Sequence, residues 1–89
     1  MAIANAQVAR KALVSIVASY DTTVVRKTAI ENSDEFIEFL DKPVKCGGLD
    51  SLDIIGITGE LEKELDVSIP DPNFLTWRDY FDHLKVVLN

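Results

Sequence analysis

A chain of 89 residues, 47% of them apolar, is sized for a single domain built around one modest core. Fifteen acidic side chains against nine Lys plus Arg leave a net charge of −6. That balance argues against nucleic acid, whose phosphates require clustered Lys and Arg, and favours partners with basic docking faces. The single cysteine, Cys46, excludes an intrachain disulfide framework, so a reducing, cytoplasmic setting is the expectation.

In chain order, Leu13, Ile16, Val17 and Tyr20 fall at i, i+3, i+4 and i+7 and predict an amphipathic helix over residues 5–20. Arg10 and Lys11 interrupt any signal-peptide core there, and no stretch approaches the roughly 18 apolar residues of a membrane span. Residues 21–29 show no clear period and read as irregular or extended chain. Ser33 is suited to cap a short helical piece whose Phe36, Ile37 and Leu40 are expected to face inward. Asp41-Lys42-Pro43 stops it, and Gly47-Gly48 marks a flexible approach to the next element.

A long helix is predicted from Asp50 to about Leu65, with Ile54, Ile57, Leu61 and Leu65 on one face. Asp66 and Pro70 bracket its end, and the DPNFL segment is too short for more than a turn. Thr76 is placed to cap a last helix that lines up Trp77, Tyr80, Phe81, Leu84 and Val87 or Leu88. The expected fold is therefore all-α, a small bundle of three to four helices with a long first loop.

Charge is unevenly distributed along it. Residues 1–30 carry four basic and one acidic side chain, whereas residues 31–66 carry eleven acidic and three basic. The negative field centres on Ser51. Serine and aspartate are both favoured N-caps, so half of the Asp50-Ser51 pair is explained by capping alone, and carboxylates there also suit the helix dipole. Capping does not explain Leu52 and Ile55, which lie off the Ile54–Ile57–Leu61 face and read as an apolar docking patch beside an exposed hydroxyl. The inventory argues against a hydrolase: there is no G-x-S-x-G elbow, and the one histidine, His83, lies on the last helix.

The run GLDSLDIIGITGELEKELDVSIPD resembles the acyl carrier protein family, ungapped from Asp50 to Pro70, and Thr76-Trp77-Arg78-Asp79 is similar to that family's fourth-helix start. The resemblance covers the chain from about Phe36 onward. It implies that Ser51 carries 4′-phosphopantetheine, transferred from coenzyme A by a Mg²⁺-dependent phosphopantetheinyl transferase, and that the protein is a carrier and not an enzyme. It further implies that Asp50 and Asp53 engage basic residues of partner enzymes, with Leu52 and Ile55 as apolar contacts. By the same register Glu60, Glu62 and Glu64 extend the acidic strip where they face solvent, although on the residues alone a merely solvated helix face is the commoner explanation of such glutamates. The partners implied are the transferase and acyl-transferring, ligating or condensing enzymes, and nothing in the sequence requires an oligomer, so a monomer is expected.

Several positions depart from that pattern. Gly56 stands where housekeeping carriers have an acidic docking residue, Gly59 where a bulky apolar one is common, and Lys63 replaces another acidic position. The Pro70–Thr76 segment is shortened, so the family's third helix is expected to shrink to one turn, with Phe74 and Trp77 filling the space. Cys46 reads as a loop or semi-buried cysteine without thiol chemistry. Acyl and aminoacyl cargo both fit, the latter loaded by a dedicated ligase. A helical interaction module without a prosthetic group is the alternative of another class.

Overall fold

In the computed structural model, which describes residues 2–88, four α-helices enclose one buried core. They are α1 (Ala2–Tyr20), α2 (Ser33–Leu40), α3 (Ser51–Leu65) and α4 (Trp77–Val87), with a 3₁₀ helix at Lys27–Ile30. No strand forms among the described residues, and no described helix is long and apolar enough to cross a membrane. The expected all-α bundle is what the chain adopts.

The first helix is the hub, packing on α3, on α4 and on the 3₁₀ helix. Its Leu13, Val14 and Val17 are fully buried, against Ile57 and Leu61 of α3 and Trp77, Tyr80 and Leu84 of α4 in the same core. Aromatic rings fill the α2–α4 side. Phe36 meets Phe81 edge-on at 5.0 Å, and Phe39 stacks on Trp77 at 5.3 Å. Pairs of this kind add about 0.5–1.5 kcal/mol beyond the area they bury. Arg10 reinforces the α1–α2 side, donating through Nε and Nη2 to the Ala29 carbonyl while its guanidinium lies 4.4 Å from the Phe36 ring centre.

Four expectations need correction. Residues 21–29 are not wholly irregular, because Lys27–Ile30 winds into the 3₁₀ helix that buries Ala29. The cap of α2 is Asn32, whose side chain accepts from the Glu35 N–H; Ser33 is already the first helical residue. Ile37 is 51% exposed, and Phe39 takes the inward place beside Phe36 and Leu40, the i, i+3, i+4 set of one helix face. Finally, no helical turn forms between Asp66 and Thr76.

That last difference has a local cause. Pro70 and Pro72 lack N–H donors and disfavour α geometry at the residues before them. The chain leaves α3 through Asp66 in left-handed geometry (φ 53°) and continues as irregular chain, turning where the Phe74 N–H donates to Pro72 O. Val44 N–H donates to Leu75 O and Trp77 N–H to Lys42 O, which clips this segment to the loop ahead of α3. Trp77 is fully buried and Phe74 packs half-buried against Tyr80, as the sequence implied. Tyr80 then reaches across to α3, its hydroxyl 2.6 Å from that of buried Thr58.

Candidate functional site

The start of α3 is fixed by its own sequence. Asp50 is the N-cap, in extended geometry; its carboxylate accepts from the Asp53 N–H at 2.9 Å, while the Asp53 carboxylate accepts from the Asp50 N–H at 3.1 Å. This reciprocal capping box satisfies two orphan donors. Leu49 before the cap and Ile54 four positions after it are both buried, the places of a hydrophobic staple. Capping therefore belongs to Asp50, and the Ser51 hydroxyl is free of that task.

Ser51 is exposed as the first helical residue. Among the described residues, no acceptor engages the Ser51 or Leu52 N–H. The hydroxyl thus stands beside unpaired donors at the positive end of a 15-residue helix, a setting that favours a phosphate ester. Leu52 and Ile55 are 77% and 61% exposed, so the structure brings an apolar pair to the surface next to this serine. Ser33 also opens a helix and is exposed, but that helix has 8 residues.

The predicted acidic residues separate into two groups. Asp50, Glu60 and Glu64 are exposed and Asp53 is half-buried, and no ion pair engages any of them among the described residues. Glu62 instead turns to the protein, its Oε2 accepting from the Ile69 N–H at 2.7 Å and holding the chain that follows α3. Lys63 and Gly59 are exposed on the same helix.

Two residues of this site were not singled out from the sequence. Asp21 accepts from the Thr23 N–H and hydroxyl through Oδ1 and from the Gly48 N–H through Oδ2 at 2.7 Å. These contacts, the Thr23 hydroxyl foremost and then Gly48, hold its carboxyl below the usual range. The Gly47-Gly48 approach to α3 is consequently tied down. Gly47 is left-handed (φ +59°), and a Cβ there would crowd Asp21 and Val24 at 3.0 Å. The D-T-T turn signal was the available hint.

The second is Tyr20, which helical spacing placed with the core face. It is 39% exposed and lies over Gly56, where an added Cβ would stand 2.5 Å from its hydroxyl oxygen. Interaction with the Glu60 carboxylate, followed by partial burial and the charges of Glu60 and Asp53, raises its ionisation above the ordinary tyrosine range. A glycine inside a helix signals close approach of this kind.

Cys46 is half-buried against the core, and the His83 ring lies tilted against that of Phe74, 5.2 Å between centres. Among the described residues, no group of three or more His, Cys, Asp and Glu side chains is arranged to hold a metal ion.

A family model described as "Phosphopantetheine attachment site" matches residues 28–80, more than half of the chain and inclusive of α2, α3 and the start of α4. No curated protein and no solved structure matches it. The exposed hydroxyl, the unpaired helix-terminal donors and the pinned approach loop fit such a group. The chain belongs to the phosphopantetheine attachment-site family, whose members bear covalent 4′-phosphopantetheine and act as carriers served by a phosphopantetheinyl transferase and partner enzymes.

Proposed function

We propose that Ser51 is the attachment residue and that the protein is an acyl carrier, presenting acyl intermediates as thioesters to enzymes of fatty acid, polyketide or related synthesis. The observation that supports this most is the exposed Ser51 hydroxyl at the amino end of α3, with exposed Leu52 and Ile55 beside it. When bound, the group supplies a terminal thiol that holds cargo.

The chain's own residues do the rest. Asp50 and Asp53, by capping each other, keep α3 wound up to its first residue and so hold the hydroxyl clear of the core. Asp21 fixes the loop that leads into it. The carboxylates of Asp50, Asp53, Glu60 and Glu64 attract basic partner faces, and Leu52 and Ile55 give those partners apolar contact. Glu62, engaged with Ile69, serves the fold first. On this reading the protein performs no catalysis itself, and the whole chain is one carrier domain, supported by a contiguous core drawn from all four helices.

The experiment is intact mass after incubation with coenzyme A and a broad-specificity phosphopantetheinyl transferase. The wild type gains one phosphopantetheine and Ser51→Ala gains none. A Ser51→Ala protein that still gains the group overturns the assignment.

A further inference from the structure

Gly56 is the point where a side chain of α1 crosses onto α3. A Cβ built there would stand 2.5, 3.4 and 3.6 Å from the Oη, Cζ and Cε2 atoms of Tyr20, so the phenol occupies space that a side chain of α3 would otherwise fill. Tyr20 is nevertheless 39% exposed and remains a surface residue. Asp53 and Glu60 lie three residues before and four after Gly56, on the same side of the helix. Neither carboxylate has an ion-pair partner among the described residues. Ile55 adjoins this cluster, and Leu52 continues it by one turn towards Ser51; both are exposed.

We propose that Tyr20 is a partner-recognition residue lent by α1 to the face of α3, where its ring and the carboxylates of Asp53 and Glu60 together receive an arginine of the phosphopantetheinyl transferase. The proposal rests on the reading that this face is where the transferase approaches. Charge complementarity selects the occupant. Two carboxylates without a cationic partner beside an exposed phenol, on a chain of net charge −6, call for a cation that also tolerates an aromatic surface. Guanidinium is planar, weakly hydrated and rich in donors, so it stacks on a ring while pairing with a carboxylate; an ammonium does this less well. Gly56 gains a role in the same arrangement, since only a residue without a side chain lets the ring lie there undisturbed.

The test measures binding of a coenzyme A-loaded, broad-specificity phosphopantetheinyl transferase to the full chain by calorimetry, in a Ser51→Ala background so that no transfer occurs. Tyr20→Phe keeps the ring and is expected to bind within about threefold of the parent. Tyr20→Leu keeps apolar bulk without the ring and is expected to weaken binding about tenfold. Melting temperatures of both variants, close to the parent's, exclude a folding effect. Unchanged binding by Tyr20→Leu, equal losses in the Phe and Leu variants, or no binding by the parent each overturn the proposal. Modification mapped to another serine, with the Tyr20 dependence intact, sinks the Ser51 assignment and leaves this proposal standing. Modification at Ser51 with Tyr20→Leu unaffected does the reverse.

Discussion

Gly56 and Gly59 sit three residues apart on α3 and differ in what surrounds them. Nothing lies within 4 Å of a Cβ added at Gly59, so Gly59→Ala removes backbone freedom at no steric cost. We expect it to stabilise the protein by about 0.5–1 kcal/mol, read as a higher melting temperature. A lower one contradicts the exposed placement of that residue. At Gly56 the same gain is opposed by displacement of the Tyr20 hydroxyl, which also carries that hydroxyl away from Glu60. Gly56→Ala is therefore expected to lower the Tyr20 ionisation towards its ordinary value, followed by ultraviolet absorbance against pH. An unmoved titration contradicts the overlap.

Asp21 gives a second test at this scale. Its folded-state pKa is depressed below 3.8, first by the Thr23 hydroxyl and then by the Gly48 N–H, so its stabilisation is present above that value and fades as pH falls below it. Asp21→Ala should melt lower than wild type at pH 7, and the gap should close towards pH 2. A gap independent of pH contradicts an ionised clamp.

At the scale of elements, the helix that carries the proposed site was the most legible in the sequence. The D-S-L-D-I run contains cap, box partner and first core residue in local order, so Leu52 and Ile55 fell outside the buried face as expected. What the sequence left open was which of Asp50 and Ser51 caps, and the box resolves it. Removing that acceptor in Asp50→Ala is expected to cost about 1 kcal/mol in denaturant unfolding. An unchanged midpoint contradicts the capping geometry.

The misread elements are those shaped by distant contacts. Ile37 and Phe39 compete for one inward place on a helix of 8 residues, and the outcome depends on Trp77, which stacks on Phe39 from α4. The non-helical course after Pro70 depends likewise on Lys42 and Val44, which pair with it from another loop. Tyr20 has helical spacing with Leu13 and Val17, and only the neighbouring Gly56 explains why it lies outside with its ring on α3.

For the whole molecule, the excess of acid over base is concentrated where the proposed partners approach. Exposed charges of this kind act mainly on encounter, and salt screens them, the Debye length falling from about 30 Å at 0.01 M to about 8 Å at 0.15 M. Glu64 is exposed and free of ion pairs among the described residues, so Glu64→Lys should leave stability near wild type. It should slow modification by the transferase several-fold at low salt, with the deficit shrinking at physiological salt. A deficit unaffected by salt contradicts steering.

The claim on which all of this depends is that one hydroxyl, at the amino end of α3, is the point of attachment. The most direct measurement is proteolytic mapping of the modified wild-type protein by tandem mass spectrometry. The added phosphopantetheine is expected on Ser51 alone, in the peptide that carries Asp50, Leu52 and Asp53. Its location on Ser33 or Ser68, which are also exposed, would contradict it.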